Sequence, residues 1–263
     1  MVSVTVAKPL SRRTPTSPML GFWPVTRKHI GIALTNPWNL VFTIGLPVMI
    51  YLIFGTVDAG DIRLPHGNVG AAVLISMAQY ATIMAISMLT ADLAIEAAKG
   101  WTRTMALTPL GVKAYMFAKV LVSVVVGIIV LLLIFALGHL TGAEMDFTVW
   151  LQSFGLIVIL SIVPALLGLV VAVMVGGEEA YGVLGGATAL LGFLSGMFVR
   201  LEQLNEFFQS FAKFTPFWGM NQIALGPLLD WKDFEALAIV NVVAWVAIMA
   251  VAAAFLSKRL TNR

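Results

Sequence analysis

The chain has 263 residues, 60% of them hydrophobic and 11% charged, with a formal net charge of +3. A soluble domain carries about a quarter charged residues, so much of this surface must face lipid rather than water. The lack of cysteine excludes disulfides, cysteine-ligated zinc and thiol catalysis, and the few, scattered basic residues argue against a nucleic-acid partner.

In chain order, residues 1–17 hold Lys8, Arg12 and Arg13 among Ser, Thr and Pro, with no apolar run behind them. They read as a disordered basic cytoplasmic tail, not a secretory signal. Residues 18–36 are too short and too basic to cross a bilayer. A helix starting near Pro24 puts Trp23, Ile30 and Leu34 on one side and Arg27 and Lys28 on another, which suits an interfacial helix or a plain basic anchor. Asn36-Pro37 breaks that helix, because the residue before Pro disfavours helical backbone. Residues 37–263 then read as a single transmembrane domain.

A hydrocarbon core about 30 Å thick needs about 20 apolar residues in a helix. The stretches that qualify are Trp38–Thr56, Val69–Ala91, Val120–Leu140, Leu151–Val175, Ala180–Val199 and Phe234–Leu256. The predicted fold class is therefore an all-α integral membrane protein of about six transmembrane helices. Twelve of the sixteen Lys and Arg residues fall before the first span, between the second and third (Lys99, Arg103, Lys113, Lys119), or after the last. The positive-inside rule then puts both termini in the cytoplasm, and parity puts the turn Gly176-Gly177-Glu178-Glu179 there too. Trp38, Trp150 and Trp231 each open a span, where an amphipathic ring prefers the headgroup level.

Two connections are longer than linkage requires. Asp92, Glu96, Lys99 and Arg103 recur at helical spacing, so the second span continues as helix beyond the membrane. Gly100 weakens that helix and Pro109 ends or restarts one; the length of Glu96–Lys119 suggests a surface for a partner. In the outer connection Arg200–Asp233, Leu204, Phe207, Phe208, Phe211 and Phe214 recur at helical spacing before Pro216 and Gly219. So many Phe predict a short amphipathic or re-entrant helix dipping into the outer leaflet.

Chemistry-bearing residues are sparse. The chain has no G-x-x-x-x-G-K-[ST] loop, so any ATPase lies on another chain. His29, His66 and His139 sit near three different borders without a second ligand at helical spacing, and no catalytic or metal site is predicted. Asp92 and His139 show no ionisable partner deep in a span, which disfavours ion-coupled transport. Softer stripes remain: Ser76, Gln79, Ser87 and Thr90 on the second span, with Tyr80 beside them, and Tyr181, Gly185, Thr188, Gly192 and Ser195 on the fifth. Each reads as close packing or as a pathway wall. A pathway of this character suits an amphipathic or lipid-like cargo. An energy-independent channel or facilitator also fits the spans, but leaves Glu96–Lys119 without a task.

Several segments together resemble the membrane subunits of type-2 ATP-binding-cassette (ABC) exporters, the bacterial drug, antibiotic and polysaccharide export permeases. The resemblance runs from about Arg27 to the tail. It rests on Asn36-Pro37, Gly45-Leu46-Pro47 and Phe54-Gly55, on Glu96 through Lys99-Gly100-Trp101 to Thr108-Pro109-Leu110, and on Phe193-Leu194-Ser195-Gly196-Met197-Phe198 with Pro216-Phe217. Val199-Arg200-Leu201 departs from the pattern, where a Pro often follows the Ser-Gly. The resemblance implies an efflux permease of a bacterial plasma membrane, of the kind that includes multidrug and antibiotic-resistance exporters. It implies pairing with a second permease copy, identical or homologous, and with two ATPase subunits that carry the ATP and Mg; this chain binds no cofactor. It further implies that the loop after the second span is a coupling helix, with Glu96, Lys99, Trp101 and Arg103 as coupling residues, or as a solvated helix extension. The second and fifth helices line the pathway by the same resemblance, with Gln79, Tyr80, Thr188 and Ser195 as its residues.

Overall fold

The computed structural model describes residues 21–36, 41–56, 62–108, 110–232 and 234–261. Helix α1 (Phe22–Thr35) is followed by a wide π turn (Val41–Gly45) that runs into α2 (Leu46–Phe54). A hairpin of β1 (Arg63–Leu64) and β2 (Gly67–Asn68) leads into α3 (Val69–Ala98) and α4 (Trp101–Ala106). Then come α5 (Gly111–Leu140), α6 (Phe147–Leu160), α7 (Ile162–Val175) and α8 (Glu179–Leu194). Two short helices, α9 (Glu206–Ala212) and α10 (Pro216–Leu225), precede α11 (Leu237–Thr261).

Among the described residues, four helical stretches are long and apolar enough to cross a membrane: α3, α5 from Ala114, α6–α7 as one unit, and α11 over Leu237–Phe255. Two shorter apolar helices, Thr43–Phe54 and α8, stand where the first and fifth spans are expected. At 1.5 Å per residue they reach about 18 and 24 Å, short of the hydrocarbon thickness. Residues 38–40 of the expected first span, Trp38 included, lie outside the described residues. The fifth ends at Leu194 rather than Val199, because Ser195 caps the helix and Gly196 turns the chain with φ of +83°. The span expected at Leu151–Val175 carries a break at Ser161. Pro164 has no N–H to give the Leu160 carbonyl, so Ser161 closes a tighter turn onto Val158, and its hydroxyl bonds the Ile157 carbonyl at 3.0 Å.

Helix α3 is the axis of the molecule: 83% of its most apolar stretch is buried, against 28% for α11. Its start is fixed by Asn68, whose side-chain oxygen accepts the Ala71 N–H at 2.8 Å as an N-cap residue does. Asn68 also donates to the Gly142 carbonyl at 3.0 Å, tying the α5–α6 loop to the same point. Glycines let the neighbours come close. Gly127 and Gly138 of α5 face Ile86 and Leu74, and Gly168 of α7 lies against the Ser87 carbonyl and Thr90. The hydroxyls of Thr82, Ser87 and Thr90 donate to the carbonyls of Ala78, Ile83 and Ile86 within α3, whereas Ser76 donates to the Asn221 side-chain oxygen of α10 at 2.9 Å.

The outer connection resolves into two helices rather than one. Helix α9 is capped by Asn205 and exposes Phe207, Phe208 and Phe211, with Phe214 beyond it. Helix α10 instead buries Phe217, Trp218 and Met220. Helix α11 holds the turn between them: Asn241 donates to the Lys213 carbonyl at 2.8 Å, Trp245 to the Phe214 carbonyl at 3.0 Å, and Lys213 pairs with Glu235 at 2.6 Å.

Candidate functional site

The most interconnected polar groups lie at the Lys/Arg-rich end, where the last turns of α3 meet α1, the start of α5 and the α7–α8 turn. Glu96 is the hub. One carboxylate oxygen accepts from Lys119 Nζ at 2.8 Å, the other from the Tyr115 hydroxyl at 2.6 Å. The Lys119 side chain is only 6% exposed, so the carboxylate offsets the cost of burying the ammonium. One turn earlier on α3, Asp92 accepts a hydrogen bond from the Tyr181 hydroxyl of α8. One turn later, Lys99 pairs with Glu178 at 2.5 Å, and this bond and its charge hold the Glu178 carboxyl below the usual carboxylate range. His29 of α1 packs edge-on to Tyr115. Burial first, and the Lys119 cation second, hold its imidazole below the ordinary histidine range, so it is neutral at pH 7.

Of these groups His29, Asp92, Glu96, Lys119 and Tyr181 line a cavity of about 780 Å³. Its walls are Ile32 and Ala33 of α1, Thr43, Met84, Met88 and Leu89 of α3, Val122 of α5, and Gly182 and Gly185 of α8. One wall of the cavity is a regular seam in which α3 and α8 run antiparallel, and the seam continues past the cavity. Tyr181 bonds Asp92, and a methyl built on Gly185 would touch Met88 at 3.8 Å. Thr188 Oγ1 lies 2.8 Å from Met84 Sδ while its proton goes to the Leu184 carbonyl at 2.6 Å. Gly192 then lies under the Tyr80 ring, where a methyl would come within 3.1 Å. Steps of about four residues on each helix keep the two stripes in register. The seam closes where Tyr80 meets the Phe198 ring edge-on at 4.7 Å.

The structure brings some of the sequence-predicted residues together and separates others. Glu96 faces inward to Lys119 and Tyr115, and Lys99 reaches the α7–α8 turn. Gly100, with φ of +80°, ends the helical run, so Trp101 starts a separate helix and is 45% exposed. Arg103 falls within α4, and its side chain lies outside the described residues. Gln79, Tyr80, Thr188 and Ser195 are all buried in the packed core and do not line the cavity. Tyr80 and Thr188 stand in the seam, and Ser195 donates to the Gly192 carbonyl at 3.1 Å. Gln79 is completely buried and, among the described residues, neither atom of its amide has a hydrogen-bond partner.

Sequence reasoning missed Asp92, Lys119, His29 and Tyr181 as members of one site. Asp92 was visible one turn before Glu96, and Tyr181 at the end of the α8 stripe, but nothing in the sequence paired them. At the opposite end, His66 lies between Asp146, at 2.9 Å, and Asp230, at 3.6 Å, and Arg63 pairs with Glu144 at 2.6 Å. The hydrogen bond to Asp146 raises the His66 pKa above its ordinary value. Among the described residues no group of three His, Asp or Glu is placed to hold a metal ion.

An axial helix buried on all sides, apolar helices of spanning length around it, and a cavity at one end of the bundle define a polytopic helical membrane protein. The model of the ABC-2 type transporter family matches residues 22–228, and the chain belongs to that family. It is accordingly a transmembrane permease component of an ABC transporter, a class that works with an ABC ATPase subunit. No curated protein matches the sequence.

Proposed function

We propose that this chain is the permease subunit of an ABC exporter that moves an amphipathic or lipid-like substrate out of a bacterial cell, with six spans and both termini in the cytoplasm. The carrying observation is the cavity at the Lys/Arg-rich end, continued by the α3–α8 seam and closed by Tyr80, Gly192 and Phe198. An opening at the end favoured as cytoplasmic, with a closed seam beyond it, is the inward-facing state of an exporter. The two short apolar helices count as the first and fifth spans, with local thinning of the bilayer accommodating their length.

Residues 1–17 form the basic tail, 18–36 the interfacial helix, and 37–263 the transmembrane domain. A second permease copy completes the pathway, and two ATPase subunits supply the energy from ATP and Mg. Glu96, Lys99, Trp101 and Arg103 form the coupling segment. Its link to the rest is mechanical: Lys99 grips the α7–α8 turn through Glu178, and Glu96 grips α5 through Lys119. A push on α4 therefore acts on α3, α5 and the start of α8 together, opening the seam. Gln79, Tyr80, Thr188 and Ser195 become pathway contacts as the seam opens; a buried amide with no partner supports that role for Gln79.

The deciding experiment is mild-detergent purification of the tagged chain from its native membrane, with mass spectrometry and an ATPase assay. A stoichiometric partner carrying a phosphate-binding loop, with activity that depends on Glu96–Lys119, is the expected result. A clean preparation without any ATPase, repeated in several detergents, would overturn the exporter in favour of a facilitator.

A further inference from the structure

We propose that the cavity at the Lys/Arg-rich end binds an organic cation with an apolar body, and that the Asp92 carboxylate is its counter-ion. The proposal rests on the permease reading and adds the charge of the substrate and the residue that selects it.

Consider the charges that face the cavity from every helix around it. Helix α3 contributes Asp92 and Glu96, α5 contributes Lys119, α1 contributes the neutral His29, and α8 contributes the Tyr181 hydroxyl. Glu96 is matched by Lys119 at 2.8 Å and by Tyr115 at 2.6 Å. Asp92 differs. Its bonded partner is a neutral hydroxyl, and among the described residues no cation lies within ion-pair distance of it. The described lining thus carries two acidic side chains and one ammonium, a formal net charge of −1 with both acids ionised.

A carboxylate in a mostly apolar cavity is costly without a cation beside it. Tyr181 uses only one of several acceptor positions, so Asp92 keeps lone pairs for a charged donor. Tyr181 also offers a ring face for cation–π contact. The remaining walls suit an apolar body. Met84 and Met88 are unbranched and adaptable, Ile32, Leu89 and Val122 are aliphatic, and Gly182 and Gly185 leave room along α8. The volume of about 780 Å³ fits a small amphiphile. An anion would meet the unbalanced carboxylate, and Lys119 is already engaged.

The test uses two probes of nearly the same size and shape but opposite charge, tetraphenylphosphonium and tetraphenylborate. Equilibrium dialysis against the purified, detergent-solubilised complex, corrected for protein-free micelles, measures saturable binding of each. The expected result is saturable binding of the cation and none of the anion. Asp92→Asn should weaken cation binding by about tenfold or more, and Asp92→Glu should retain most of it. Equal binding of the two probes, saturable binding of neither, or full cation binding by Asp92→Asn would overturn the proposal. The cation–anion comparison needs no variant, so it decides even where a substitution prevents folding. Copurification of an ATPase is scored separately on the wild-type complex. If the ATPase is present and cation selectivity absent, the cation assignment alone fails; if no ATPase is present, the ATP-driven exporter reading fails, whatever the two probes show.

Discussion

The Glu96–Lys119 pair allows the sharpest test of how the Lys/Arg-rich end is held together. Lys119 is almost completely buried on α5 and Glu96 is 30% exposed on α3, with Tyr115 on the second carboxylate oxygen. Lys119→Met keeps the packing of the stem and leaves a partly buried carboxylate without its cation. Glu96→Gln leaves the ammonium with a neutral partner. Removing one member of a buried pair costs about 3–5 kcal/mol, because the other charge stays desolvated. For a protein of this size that corresponds to a drop in Tm of about 6–20 °C. The double variant Glu96→Gln/Lys119→Met has no stranded charge and should regain most of the loss, since isosteric replacement of a whole buried pair is near neutral. Tryptophan-fluorescence melts of the four purified proteins in one detergent, at one scan rate, complete the cycle. Additive losses, or single variants that melt within about 2 °C of wild type, would refute the reasoning.

Three further outcomes follow from the same geometry. Gln79→Leu replaces a fully buried amide that has no partner among the described residues, so it should raise stability by about 1–3 kcal/mol while transport falls; a loss of stability would mean that the amide is satisfied. Arg103→Glu should leave ATP hydrolysis running while export stops, read in proteoliposomes of the assembled transporter; unchanged export removes Arg103 from the coupling segment. His66 has a raised pKa because it donates to Asp146 and faces Asp230. A raised folded-state value means that its contribution is complete below the unfolded value near 6.5 and fades as pH rises through the folded value. Wild type should therefore lose Tm from pH 6 to pH 8.5 relative to His66→Gln, and parallel curves would refute a stabilising contribution of the His66 pairing.

The all-helical membrane class was legible in the sequence, because lipid imposes a composition and a length that a single chain displays directly; the ABC-2 family was legible through the resemblance of particular segments, not through composition. So was the continuation of α3 past its expected end to Ala98, carried by the spacing of Asp92, Glu96 and Lys99. Even the α8 stripe from Tyr181 to Ser195 was visible as a repeat. Local signals also marked the ends of elements: Gly100 and Gly196 adopt the left-handed backbone that glycine tolerates best.

What the sequence left open was which face met which. Tyr181 and Asp92 are 89 positions apart, and Lys119 and Glu96 are 23 apart across a turn. Such pairs form only when helices pack in a particular register, and that register is set by small contacts: Gly127 under Ile86, Gly168 against Ser87, Gly192 under Tyr80. Helical periodicity fixes the stripe a residue belongs to but not the helix that stripe will meet. The second-span polar stripe illustrates the limit, since the Ser87 and Thr90 hydroxyls turn back onto their own helix, Ser76 bonds Asn221 of α10, and the cavity forms beside Met84, Met88 and Asp92 instead. The sequence by itself determined a lipid-facing helical permease with a basic end; only tertiary packing placed one unbalanced carboxylate in a cavity there, because burial and charge pairing are properties of neighbours in space.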